Sequence, residues 1–497
     1  GNYNVIGDNS DLNSQNGHQN RIGNDADRNV QTGNENKIGN NSNRNSQDGY
    51  QNIIGDNSDD NKQDGNYNVI GDNSDLNSQN GHQNKIGNDA DRNSQNGNNN
   101  EIKDNSKMNS QDGHQNIIGK DSTNNKQDGN YNIIGNDADN NTQNGQQNKI
   151  GNDADNNIQN GNYNEIKDRS NSNIQDGHSN TIGLNSDFNK QAGTYNVIGN
   201  NASHNNQDGH RNTIEDYATY NTQTGALNLV KSGRENESSF NNQYGYNNTM
   251  GLKNTQNSQF GNDNYFEDNV KNTVALGNRN FATKGVSSGI IVGTDSAVIG
   301  NRGIAIGSDR DQQCVDIPDS SIDDDNDDGN DDIVIDSYTP NGKFRKVCGA
   351  VADQDGIAIG SDARATQNAT AIGAAAKATG EGSTAIGSQS EASGEKATAL
   401  GYGAQATGFG SLAEGAEALA SGVEAKANGY QAKATGDYST AIGSRSEASG
   451  EKATALGHGA KATGFGSLAE GAEALASGVE AKANGYQAKA TGDYSTA

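Results

Sequence analysis

The residues best suited to binding chemistry are concentrated in one acidic run. Asp324-x-Asn326-x-Asp328-Gly329-x-x-Asp332 sets oxygen ligands at alternate positions around a turn glycine and adds a later carboxylate. That spacing matches the opening of an EF-hand-type loop, in which hard oxygen donors surround Ca²⁺. The twelfth position, where such a loop carries Glu, is Ile335. Ca²⁺ is the one cofactor the sequence points to, with Asp324, Asn326, Asp328 and Asp332 as its ligands; the alternative is a merely solvated acidic loop. Cys314 and Cys348, the only cysteines, flank the run. Paired, they close it with a disulfide, which suits a secreted or surface protein; two free thiols are the alternative.

Elsewhere the chemistry-bearing residues are spread by repetition. His18, His82, His114, His178 and His210 share one repeat position, and the closest are 32 residues apart. In stacked coils that is two rungs, roughly 9.5 Å, whereas two ligands of one metal each sit about 2 Å from it. These histidines read as outward turn residues. Tyr3, Tyr67, Tyr131 and Tyr163 share a second outward position, where exposed aromatics either fill surface or contact glycans and proteins. Ser, His and Asp recur with the repeat and do not converge on a nucleophile–base constellation. There is no P-loop, no H-E-x-x-H and no G-x-G-x-x-G between a strand and a helix. The expectation is a protein that is not an enzyme.

The chain has 497 residues, a formal net charge of −27 and 29 % hydrophobic residues. Such values alone suit a disordered chain, but disorder needs no register, and this sequence keeps one. The acidity excludes the basic footprint of a nucleic-acid binder and direct docking onto anionic lipid. No apolar run approaches the length of a membrane span, and no signal peptide is present. The chain opens on a repeat boundary without Met and closes three residues into another repeat, as an excerpt of a longer protein would.

The register consists of two arrays. Residues 1–240 keep a period of 16, G-x-x-N-x-I-G-x-x-[SA]-x-x-N-x-Q-x, beginning at Gly1, Gly17, Gly33 and Gly49. Each unit carries two short alternating pieces, N-x-I and N-x-Q, separated by glycine and small polar residues. Period-2 alternation means strands, and glycine between them permits the positive φ of tight turns. Two strands and two turns per unit make one coil of a parallel β-solenoid or β-roll, in an all-β chain. The inward set is Asn4, Ile6, Asn13 and Gln15 with their equivalents. Ile stacks into an apolar ladder, and Asn and Gln stack into amide ladders in which each side chain bonds its copy one rung away. The second array has a period of 14. Ser383–Tyr438 returns at Ser439–Tyr494 with three changes, and each copy is four coils long. Its ladder is marked by Ile386, Gly387, Leu400 and Gly401; Glu414 and Asn428 place polar residues at the Ile/Leu position, which puts the packing of those coils in question.

Four segments follow: a 16-residue-repeat solenoid over 1–270, transition coils over 271–310, an acidic Cys-flanked insert over 311–349 and a 14-residue-repeat β-roll over 350–497. The insert is framed by two copies of "GIAIGSD", at Gly303–Asp309 and Gly356–Asp362, and reads as a side excursion from one coil, since arrays tolerate insertions in surface turns.

The segments "NTVALGNRNFATKG", "GSTAIGSQSEASG" and "EKATALGYGAQATG" resemble the head repeats of trimeric autotransporter adhesins, the YadA-type head, over 271–310 and 350–497. The resemblance implies a left-handed parallel β-roll, a homotrimer, display on the bacterial surface, and adhesion to host matrix or other cells. The Q-x-G-x-x-N-x-I beat of 1–270, as at Gln15–Ile22, is partly similar to curlin repeats, which implies a self-assembling extracellular filament as an alternative; a virion or phage tail fibre is a third. Each coil offers so few large apolar side chains that packing against another copy would add needed burial.

Overall fold

The computed structural model describes residues 2–308, 315–318, 344–347 and 349–497. Among them there is no helix. The chain divides into two compact units, Gly1–Ser239 and Phe240–Ala497, each a parallel β-solenoid.

In the first unit every coil supplies one five-residue and one two-residue strand, as in Ser14–His18 and Arg21–Ile22, then Val30–Asn34 and Lys37–Ile38. Each pairs in parallel with its counterpart one coil on, for example Gln15 with Gln31 and Ile22 with Ile38. The two strand types form two facing sheets. Between them lie Ile22, Ile38, Ile54 and their successors, with Ala26, Ala90 and Ala138 beside them. The remaining inward positions are polar: Asn20, Asn29 and Gln31, with Ser42 at the Ala position, are all buried. In the terminal coil Asn4, Asn13 and Gln15 are half-buried and Ile6 is 44 % exposed, because a terminal coil has a neighbour on one side only.

The strand glycines of the first unit do not sit where turn chemistry would place them. Gly17 lies inside the strand Ser14–His18, with φ of 119°. A Cβ there would collide with the carbonyl oxygen of Gly33 in the next coil. Close approach between coils, not a turn, demands the glycine. The turns instead use left-handed residues that carry side chains, such as Tyr3, Asn9 and Leu12. Asn and Asp tolerate that region by bonding locally; Tyr and Leu are held there by the ladders on either side.

The second unit begins in the same manner, with Asn242–Tyr246 and Ser258–Asn262, and then changes its core. At the inward glutamine position Gln243 and Gln259 give way to Ala275, Ile291, Ala305 and Ala358. Phe266, Val270, Val286 and Val298 fill the changeover. From Thr370–Ile372 onward each 14-residue coil has a three-residue and a two-residue strand, as in Thr384–Ile386 and Glu391–Ala392. Its interior is almost wholly methyl groups: Ala385, Ala392, Ala399 and Ala406 are completely buried. A core of Ala needs less width than one of Ile, Asn and Gln, which is why two residues per coil can be dispensed with.

The excursion leaves one coil after the strand Ile304–Gly307 and rejoins before Val351–Ala352. The sheet is uninterrupted across it, since Ile304 pairs with Ile357 and Ala305 with Ala358. Within it Val315–Pro318 pairs antiparallel with Phe344–Val347. Cys314, Cys348, Asp324, Asn326, Asp328 and Asp332 lie outside the described residues.

Candidate functional site

Most of the polar residues of the first unit are engaged in holding coils together. The buried glutamines form a one-way chain: Gln31 Nε2 donates to Gln47 Oε1 at 2.8 Å, and Gln47 donates likewise to Gln63 at 2.8 Å. Each also donates to a carbonyl of its own coil, as Gln47 does to Lys37 O at 2.9 Å. The asparagines bond differently from the copy-to-copy ladder expected of them. Asn20 Oδ1 accepts the backbone N–H of Asn36 at 3.0 Å, and Asn20 Nδ2 donates to Gly33 O at 2.8 Å. Their side chains therefore serve the backbone, where the geometry leaves amides without a ladder partner. Side chain to side chain bonds occur along the second asparagine column as well, as from Asn77 Nδ2 to Asn61 Oδ1 at 3.1 Å.

The acidic surface is employed in the same way. The backbone N–H of Asn40 donates to Asp56 Oδ1 at 2.7 Å, and that of Asp56 to Asp72 Oδ1 at 2.8 Å. A second column runs from Asn43 to Asp59 to Asp75, at 2.6 Å each. Only one acceptor oxygen is needed, so Asp and Asn interchange from coil to coil. The Asp104 carboxyl is held below its ordinary value, chiefly because it accepts the Asn88 N–H, with Lys120 adding attraction against the opposing effect of burial. Asp60 is likewise lowered by its hydrogen bond from Arg44, whose guanidinium is raised in return. Burial raises the Tyr50 hydroxyl, helped by its bond to Glu35.

Among the described residues no three or more His, Cys, Asp or Glu side chains are grouped to hold a metal ion. His18, His82, His114 and His210 are exposed and His178 is half-buried. Tyr3, Tyr67, Tyr131 and Tyr163 are exposed on left-handed turn positions. An open hollow of about 450 Å³ lies beside the widened coil of the first unit, lined by Glu215, Tyr217 and Arg234. Its carboxylate Glu215 is taken up by the Ser232 backbone N–H at 2.9 Å.

The feature that sequence reasoning misplaced is the Ile/Leu column. Ile386 is 41 % exposed and Leu400 half-buried on the outer face, while Ala385 and Ala399 turn inward. Ile386 and Leu400 are therefore not core residues. Gly387 and Gly401, next to them, have φ near 130°, and a Cβ at Gly387 would strike the Gly401 carbonyl. Glu414 and Asn428 sit outward in the same column and bond each other at 2.8 Å, so their coils pack like the rest. Going back along the chain, the column reads Leu276, Val292, Ile306 and Ile359, preceded by Tyr244 and Phe260 stacked at 4.9 Å. The available signal was invariance within the repeat: Ala385, Ala399, Ala413 and Ala427 never change, whereas the next residue is Ile, Leu, Glu or Asn.

These features define a parallel β-solenoid repeat protein. Residues 367–390, 392–418, 420–446, 448–474 and 476–497 match the YadA head domain repeat. The second array is thus made of head repeats of the trimeric autotransporter adhesin type, which are structural and adhesin features and not catalytic ones. The match does not extend to the first array, whose likeness to curlin repeats it leaves unsupported. A comparison with curated proteins returned no match.

Proposed function

We propose that the chain is the projecting, adhesive part of a bacterial surface fibre, assembled as a homotrimer and presenting repetitive β-solenoid surface to host matrix or other cells. The observation that carries this reading is the run of head repeats through 367–497. It is supported by the first unit, whose buried Asn and Gln side chains bond their neighbours from coil to coil, which leaves rigidity and surface as what that array offers. A helical or open-ended filament is the competing assembly. Sedimentation equilibrium and chemical crosslinking of the whole chain test the two: a discrete three-chain mass supports the adhesin reading, and a concentration-dependent ladder of higher masses replaces it with the filament. Binding of the purified chain to immobilised matrix proteins and to cells tests adhesion, and the absence of saturable binding to any such surface refutes that part.

A further inference from the structure

One turn of the first unit carries a second periodicity. At the left-handed position between the longer and the shorter strand, Tyr131, Tyr163 and Tyr195 recur every second coil, with φ of 57–61°. Their backbone N–H groups donate to the preceding coil, as Tyr163 does to Gln146 O at 2.9 Å and Tyr195 to His178 O at 3.0 Å, which fixes the turn. The three side chains are 48–52 % exposed. The last two are braced edge to face, since the His178 ring lies 5.1 Å from Tyr163 and 5.8 Å from Tyr195, and His210 lies 5.8 Å from Tyr195. In the coils between, the same position holds Gln147 and Ser179. Serine is small, so a slot stays open between Tyr163 and Tyr195 above the His178 ring. Beyond it the Arg211 guanidinium lies over the Tyr195 ring at 5.9 Å and ends the run. Earlier coils lack the spacing, because Glu35 and Asn99 stand where Tyr3, Tyr67 and Tyr131 would need an aromatic between them.

Two coils rise about 9.6 Å. A polyproline II helix has three residues per turn at about 3.1 Å each, so it repeats every 9.3 Å or about that. The two repeats differ by about 0.3 Å and stay within about 1 Å of each other from Tyr131 to Tyr195. Aromatic-lined grooves hold such helices because the segment is ordered before it binds and its proline rings pack on aromatic faces. Charge narrows the choice of segment. Asp176 and Asp208 are exposed on the adjoining strand face, again two coils apart, and the chain carries a formal net charge of −27. A segment with basic residues between its prolines is favoured over an acidic one.

We infer that the tyrosine edge from Tyr131 to Tyr195 docks a proline-rich, basic segment of a partner protein in the polyproline II conformation, running along the solenoid axis. One proline per turn meets the tyrosines, and one enters the slot between Tyr163 and Tyr195. The assignment rests on the adhesive reading proposed above and gives it a class of partner. Both sides are ordered before contact: the segment by its prolines, and the rings by their left-handed turns and the bracing histidines. Little side-chain freedom is therefore lost on binding. The contact is small and polar at its margins, so it suits a weak, repeated attachment and not a permanent complex.

The test uses the whole chain and a fluorescently labelled peptide of repeated Pro-Pro-Lys triplets, read by fluorescence anisotropy. Expected are saturable binding that weakens as salt is raised, at least tenfold weaker binding to the Tyr163→Ser/Tyr195→Ser double variant and to Ser179→Tyr, and unchanged binding to Tyr3→Ser. Ser179→Tyr fills the slot with a side chain that this turn position already accepts at Tyr163 and Tyr195, so it keeps the test valid if the double variant fails to fold. No saturable binding, equal binding by the double variant and Ser179→Tyr, or equal binding of a peptide with glycine in place of proline overturns the assignment. Tyrosine-dependent binding of a β-linked hexasaccharide in place of the peptide also overturns it and gives the edge to a glycan. A chain that adheres to cells without binding the peptide leaves the adhesive reading standing; a chain that does neither overturns both.

Discussion

Replacing Gln127 tests whether the amide chain stabilises the first unit or is merely accommodated by it. Gln127 is fully buried and bonded on both sides: it accepts from Gln111 Nε2 at 2.8 Å and donates to Gln143 Oε1 at 2.8 Å and to Ile117 O at 3.0 Å. Gln127→Leu keeps the approximate volume and removes every one of these bonds. Gln111 Nε2 retains its bond to Glu101 O at 3.1 Å, so its loss is partial. The Gln143 and Ile117 oxygens each lose the donor that Gln127 supplied. At about 1–3 kcal/mol per buried group left unsatisfied, the cost is about 2–6 kcal/mol, less whatever the leucine regains by burial. Gln127→Glu costs more, since a carboxylate cannot donate and would be a buried charge opposite another oxygen. Because coils contact only their neighbours, the damage is local, and the assay is amide hydrogen exchange resolved by coil. At the lower bound, exchange in the coils containing Gln111, Gln127 and Gln143 accelerates about 30-fold, with coils several rungs away unchanged. Exchange of those coils in Gln127→Leu within about threefold of the parent would refute the reasoning and make the ladder a passenger of the apolar Ile column.

Four further outcomes follow from the same structure. Gly113→Ala places a Cβ at φ of 116° against the Gly129 carbonyl, and should cost about 3 kcal/mol or more by denaturant titration. Asp72→Asn keeps the oxygen that caps Asp56 N–H and should leave stability within about 0.5 kcal/mol, whereas Asp72→Ala should lose about 1 kcal/mol. Asp104 has a lowered folded value, so its contribution is fully present above the ordinary carboxylate range near pH 4 and is lost as pH falls through that lowered value; thermal melts from pH 7 to pH 3 should show the decline, shallower in Asp104→Asn. On the sequence expectation for the insert, denatured unreduced chain should titrate no free thiol and reduced chain two, from Cys314 and Cys348, and chelation should lower the melting temperature if Asp324, Asn326, Asp328 and Asp332 hold Ca²⁺.

The coil length, the parallel pairing and the inward column of Ile22, Ile38 and Ile54 could be read from the sequence, because a strict period carries every position to its copy. The role of glycine could not. Gly17 and Leu12 exchange their expected duties: the glycine is needed for contact between neighbouring coils, which no single repeat shows, and the left-handed turn is imposed on a residue with no preference for it. The facing of Thr384-Ala385-Ile386 was also hidden. Hydrophobicity favours Ile inside, but alternation permits either face, and the width available between sheets selects the methyl group. The consequence is that Ile386 and Leu400, which mark the ladder of the second array in the sequence, lie on its outer face. The asparagines of the inner coils are buried, and their bonds to backbone depend on amides whose lack of a partner emerges only in three dimensions.

The one-way glutamine chain makes the 16-residue coils of the first unit equivalent along that column. Gln31, Gln63 and Gln95 each receive the same bond from one side and pass the same bond on at the other. Removing or adding one 16-residue coil leaves the bonding of the glutamine column intact and alters the reach of the array by about 4.8 Å. A coil of another length is absorbed in its turns, as in the 13-residue step from Ala358 to Ala371, both of which stay buried. The first unit is thus a ruler graduated in whole coils, whose length can be changed by recombination between near-identical repeats with the glutamine column unchanged.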